Sequence, residues 1–175
     1  MSEQGTLFAE QPRYCIDTNV IISFLRGTDD EHYGADVFAP QWNFLQRLMF
    51  EGHIIAPRQV ESELAKWDTK IGPMKAWLRG HHHIFRDVET NAQLEIAKRI
   101  VNAYPAFGES QNYLGDLEVI TLAAARGITV ISLEVSNPNP SKRRPKIPDV
   151  CAEFNVGCLS LPGFLRRESF GKTAG

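Results

Sequence analysis

Tyr14-Cys15-Ile16-Asp17-Thr18-Asn19-Val20-Ile21-Ile22 is the stretch that decides the fold. Tyr14 to Ile16 is an apolar run too short for a helix, and it reads as a buried strand. Asp17-Thr18-Asn19 interrupts it with residues favoured at helix starts, and a helix follows from about Val20 to Arg26. The unusual feature is the acid placed directly after a buried strand. In a sheet of parallel strands that acid emerges at the carboxyl edge, where open α/β sheets collect their ligands.

Working outward, the same alternation of short apolar runs and amphipathic helices recurs. Gly27 to Pro40 is rich in turn residues and acids and reads as a loop; Gln41 to Glu51 reads as a helix stopped by Gly52. His53 to Ala56 is a second strand, and Pro57 sits where a helix takes its first residue, opening Arg58 to Trp67. Gly72 to Leu78 is a short helix, His83 to Val88 an ambiguous strand. Thr90-Asn91-Ala92-Gln93 has capping-box form and starts a helix to about Tyr104. Pro105 to Leu114 reads as a loop. Asp116 to Arg126 is a helix closed by Gly127, followed by the β-branched strand Ile128 to Leu133. Val135 to Lys146 is irregular; Pro148 opens a last helix to about Phe154, and Gly157 to Leu161 is a final strand. Strands separated by helices imply parallel pairing with right-handed crossovers. The expected fold is an α/β three-layer sandwich with a central parallel sheet.

Composition agrees with one compact domain. The 175 residues are 43% hydrophobic, 10% aromatic and 23% charged, which excludes disorder over the whole length. We expect a flexible N-terminal segment 1–12, a single domain 13–165 with a helical insertion around 68–112, and a flexible tail 166–175. No apolar run approaches the ~20 residues of a membrane span, and the N-terminus lacks a signal peptide's layout, so a cytoplasmic location and no membrane partner are expected. The formal charge of −2 excludes electrostatic wrapping of nucleic acid as the sole mode of action. It does not exclude a metal-dependent nuclease, whose acidic site is covered by cations. Cys15, Cys151 and Cys158 lack zinc spacing and read as reduced thiols.

Helical geometry singles out two acids, and the ends of the apolar strands two more. In the helix 58–67 the buried stripe is Val60, Leu64 and Trp67, and Glu63 falls within about 60° of Val60. In 116–126 the stripe is Ile120, Ala123 and Ala124; Asp116 lies near its centre and Glu118 about 160° away on the open face. Asp17 and Glu134 each follow an apolar strand. In a parallel sheet the four converge at one edge, where like charges do not stay ionised together without a cation. Carboxylates and water select a hard ion, Mg²⁺ or Mn²⁺ rather than Zn²⁺. Such ions activate a water and steady the leaving oxygen of a phosphodiester. The residues alone therefore point to a metal-dependent phosphodiesterase.

The run 14–22 resembles the opening of PIN-domain ribonucleases, an apolar strand followed by Asp-Thr-Asn. Val60-Glu61-Ser62-Glu63-Leu64 is similar to the second acidic motif of that family, Gly115-Asp116 to its third (usually Ala-Asp), and Ser132-Leu133-Glu134 to its fourth (usually Thr-x-Asp). Resemblance to this family implies a PIN-like domain and Mg²⁺- or Mn²⁺-dependent endoribonuclease activity, often as the VapC-type toxin of a toxin–antitoxin pair. By carry-over, Asp17, Glu63, Asp116 and Glu134 form a catalytic and metal-binding tetrad. Asn19 holds the site together from its amide, and Thr18 or Ser132 from a hydroxyl. The chain departs in Gly115 and in Glu134, which define a variant subgroup with Glu as the fourth acid. The implied partners are an RNA substrate, a protein antitoxin and a second copy of the chain in a homodimer.

Competing readings attach to the same residues. Asp17 also suits a plain helix cap, and Asp149 a helix N-terminal charge. His81-His82-His83 reads as a solvated turn, and Trp42, Trp67 and Trp77 as core. Lys142, Arg143, Arg144 and Lys146 carry +4 in six residues and suit either RNA contact beside the acids or an idle basic loop. A haloacid-dehalogenase-like phosphatase needs an acid two residues beyond the first, where this chain has Asn19. A flap-nuclease-like site gathers more acids than are found here. A catalytically inert PIN-like binding module is the remaining alternative.

Overall fold

The computed structural model describes residues 11–30, 32–87 and 90–172. The central sheet has five strands: β1 (Tyr14–Ile16), β2 (Ile54–Pro57), β3 (Phe85–Arg86), β4 (Thr129–Ile131) and β5 (Cys158–Leu159). They run in the order β3-β2-β1-β4-β5, and every pairing is parallel. Helices flank the sheet to give a three-layer α/β sandwich. They are α1 (Thr18–Arg26), α2 (Ala39–Phe50), α3 (Arg58–Ala65), α4 (Met74–His81), α5 (Asn91–Ala103), α6 (Ala106–Glu109), α7 (Leu114–Arg126), α8 (Ile147–Glu153) and α9 (Leu161–Arg167).

β1 is the pivot. All three of its residues are buried, and Tyr14, Cys15 and Ile16 pair with Thr129, Val130 and Ile131 of β4. The chain builds outward from β1 to β2 and β3, then returns to lay β4 on the other side. The carboxyl ends of β1 and β4 therefore meet at the point where strand order reverses. α7 packs across β1, β2 and β4 with α3 and α5 beside it. Phe164 of α9 meets Tyr14 edge-on with ring centroids 4.9 Å apart, and Phe44 of α2 at 6.1 Å.

Local signals account for most boundaries. Thr90 and Gln93 form the expected capping box at the start of α5. Gly127 ends α7 in the left-handed region, φ 65°, where a glycine carries no steric penalty. Pro57 differs from expectation: it closes β2 and occupies the N-cap of α3 rather than its first turn. Two helices lie where the sequence shows no helical period. α6 falls in the expected loop 105–114, and α9 follows β5, its N-terminus capped by the Ser160 hydroxyl on the Gly163 N–H at 3.1 Å. α9 itself runs to Arg167. Glu168 then accepts hydrogen bonds from the Tyr14 hydroxyl and the Arg13 guanidinium, the latter at 3.1 Å through Nη2. The expected N-terminal segment lies outside the described residues up to position 10, as do residues 173–175 of the expected tail. No helix among the described residues is long and apolar enough to cross a membrane.

Candidate active site

Asp17 leaves β1 and occupies the N-cap position of α1, yet its side chain makes no capping hydrogen bond. Capping therefore does not explain it. The carboxylate is 2% exposed and accepts a hydrogen bond from the Ser132 hydroxyl, 3.1 Å away, just beyond the end of β4. The β1–β4 pairing sets this contact, because it continues the register from Ile16 opposite Ile131. Burial and the neighbouring charge of Glu134 push Asp17 up to about 7 against the hydrogen bond from Ser132.

Asp116, in the first turn of α7, faces the same space. Burial first, then the charges of Asp17, Glu134 and Glu63, push it up to about 8, with Lys146 partly offsetting them. Glu63 sits in the second turn of α3. Its Oε2 accepts a hydrogen bond from the Thr18 hydroxyl at 2.7 Å, which ties α3 to the start of α1. Gly115 makes this position possible, since a Cβ there would come within 2.6 Å of the Glu63 carboxyl carbon. The departure at 115 and the placement of Glu63 are thus one feature.

Glu134 lies at the end of a short turn after β4 and is engaged on both oxygens. Oε2 accepts from the Ile147 N–H at 2.7 Å, and Oε1 stands 3.7 Å from the Lys146 ammonium. Ile147 is the first residue of α8, so Glu134 satisfies an N–H that the helix itself leaves open. Asp149 performs a related service, accepting from the Asn137 N–H at 3.2 Å. The segment 135–146 is closed at its base by these two carboxylates.

All four acids line one cavity of about 530 Å³, together with Thr18, Asn19, Ile22, Lys66, Trp67, Asn112 and Tyr113. Asn19 is exposed on its rim, and no hydrogen bond from its amide is found among the described residues; the hydroxyls of Thr18 and Ser132 hold the carboxylates instead. Lys142, Arg143 and Arg144 are exposed and do not line the cavity. Among the described residues no group of three or more His, Cys, Asp or Glu side chains is arranged to hold a metal ion. The donor chemistry nonetheless separates the acids. Asp17 and Asp116 are buried or half-buried, mutually repelling oxygen donors, which suits a hard divalent cation. Glu134 is already satisfied by a helix terminus and a lysine.

Three features escaped the sequence. Trp67 packs against the core as expected and also lines the cavity, and Tyr113 and Asn112 join it from the turn before α7. Glu118, expected on the open face, is half-buried, and burial pushes its carboxyl up. Of the histidine run, His82 and His83 are exposed, whereas His81 is 5% exposed and stacks on Trp77 with centroids 4.1 Å apart.

A family model described as "Domain of unknown function (DUF4411)" matches residues 14–171. The chain belongs to this family. The DUF4411 match takes in every element from β1 to α9, and with them Asp17, Glu63, Asp116 and Glu134. No curated protein matches the chain.

Proposed function

We propose that the protein is a metal-dependent endoribonuclease of PIN type. The observation that carries the reading is the meeting of Asp17, Glu63, Asp116 and Glu134, drawn from four separate segments, in one cavity at the switch point of a parallel sheet. A fold tolerates such repulsion at a cost of several kcal/mol unless a cation compensates it. Mg²⁺ or Mn²⁺ is the natural cation, with Asp17 and Asp116 as its direct ligands. When bound, such an ion supplies activation of a water and stabilisation of charge on a phosphodiester.

The remaining residues divide the supporting work. Ser132 orients the Asp17 carboxylate, Thr18 orients that of Glu63, and Gly115 leaves space for it. Glu63 stands next to the ligands as a third acid able to accept a proton or bind through water. Glu134 positions Lys146 and the start of α8 beside the cavity. Lys146, with the exposed Lys142, Arg143 and Arg144, forms a cationic approach for an RNA backbone that the acids alone would repel. The resemblance to VapC-type toxins extends the proposal to a cytoplasmic protein restrained by an antitoxin, with a homodimer as the assembly.

Incubation of the purified chain with defined single-stranded RNA and total transfer RNA tests this. Cutting is expected with Mn²⁺ or Mg²⁺, and is expected to vanish with chelator and in Asp17→Asn and Asp116→Asn. Equal cutting by both variants, or none by folded protein with either ion, would sink the nuclease reading in favour of an inert binding module.

A further inference from the structure

Trp67 sets the cavity apart from a bare acidic cleft. Trp42 and Trp77 stack in the core, 6% and 7% exposed with centroids 6.0 Å apart. Trp67 is half-buried just past the end of α3, and it lines the same cavity as Asp17 and Asp116. Cations gather round it. Lys66 lines the cavity, the Arg26 guanidinium lies 5.6 Å from the indole centroid and the Lys70 ammonium 5.1 Å from it. Asn112, exposed, and Tyr113, half-buried, line the cavity from the turn that leads into α7.

We propose that this wall is a nucleobase subsite, in which an unpaired base beside the reacting phosphodiester stacks on Trp67. The proposal rests on the nuclease reading of the acidic cavity and adds to it that the strand is single at the cut. An indole face that attracts two cationic side chains is electron-rich and open to approach. Lys70 is exposed, so it can leave the ring when a base covers it. A displaced cation then meets the adjacent phosphates, which offsets their repulsion by the carboxylates. The Asn112 amide offers a donor and an acceptor to a base edge. Stacking of this kind tolerates any base and excludes a duplex, whose base faces are covered by their neighbours.

Binding measured without any divalent ion tests the subsite. The probes are hexauridylate, the same oligomer with one abasic nucleotide at each position in turn, hexathymidylate, and a short RNA duplex, all in chelator. Hexauridylate is expected to quench tryptophan fluorescence on binding, since Trp42 and Trp77 are buried away from it. Trp67→Phe keeps a stacking face and is expected to bind within about three-fold while losing the quench. Trp67→Ala is expected to weaken binding by about ten-fold or more. One abasic position should weaken the wild type by a similar factor and leave Trp67→Ala unaffected, the signature of two partners in one contact. Tighter binding of either single strand, RNA or DNA, upholds the subsite and identifies its source. Binding without quenching, preference for the duplex, or abasic effects that persist in Trp67→Ala would overturn it. Should Trp67→Ala fail to fold, Trp67→Phe and the abasic series still decide. Absence of metal-dependent cutting would leave a positive result standing, and failure here would leave acid-dependent cutting intact.

Discussion

Asp17 and Asp116 are held in a protein interior that works against their ionised forms, each pushed upward by burial and by the other acids of the cavity. Removing one charge relieves the others. Asp116→Asn, measured by thermal unfolding in chelator, is expected to melt higher than the wild type by several degrees, as is common where a site trades stability for function. Mn²⁺ should raise the melting temperature of the wild type and leave Asp116→Asn unmoved. A variant less stable than wild type in chelator would show that the contacts of the Asp116 carboxyl outweigh the repulsion. Gly115 makes a second residue-scale prediction. Alanine there adds helix propensity worth up to about 1 kcal/mol, yet its Cβ takes the place of the Glu63 carboxylate. Gly115→Ala should therefore keep or raise the melting temperature while RNA cleavage falls about ten-fold through displacement of one carboxylate. Unchanged cleavage would mean that the Glu63 position is immaterial.

Among the elements, α8 and α9 each add a glutamate contact to their apolar packing. Glu134 bonds the first N–H of α8, so Glu134→Ala is expected to cost about 1 kcal/mol, and Glu134→Gln, which retains an acceptor, less. Equal losses for both would point to the charge, not the hydrogen bond. Glu168 anchors the end of α9 to β1. Burial opposes its charge, but the hydrogen bonds from Arg13 and Tyr14 outweigh burial and hold its carboxyl below the ordinary value. A depressed folded pKa contributes stability that is present above the unfolded value of about 4.5 and lost as pH falls through the folded one. Glu168→Gln should thus melt lower at neutral pH, by the equivalent of about 1 kcal/mol given the exposure of Arg13, and the gap should narrow as pH falls below about 4.5. A gap independent of pH would assign the effect to packing. α9 also shows why an element can hide from sequence reading. Ser160-Leu161-Pro162 carries a cap and an early proline, but the helix is only seven residues long, and its buried ones, Leu161 and Phe164, look like the end of a strand and a frayed tail. α6, at four residues, has no period to read at all.

For the whole molecule, the parallel sheet was legible because most of its strands are short apolar runs separated by helices, and the acids were legible because two follow strands and two interrupt buried stripes. Their meeting depends on strand order, which places β4 beside β1 and so sets Ser132 against Asp17. The allocation of roles was less legible. Hydrogen bonds between Thr18 and Glu63 and between Glu134 and Ile147 span 45 and 13 residues, distances at which periodicity carries no information. The burial of Glu118 and the place of Trp67 in the cavity were hidden for a related reason: helical angle tells which residues share a face, but the neighbour that covers the face comes from another part of the chain. Titration of Mn²⁺ into the purified chain by calorimetry asks whether Asp17 and Asp116 hold the ion. Saturable binding is expected, lost in both Asp17→Asn and Asp116→Asn and retained in Glu134→Gln. Folded wild-type protein that binds no Mn²⁺, or variants at Asp17 and Asp116 that bind it as the wild type does, would contradict this assignment.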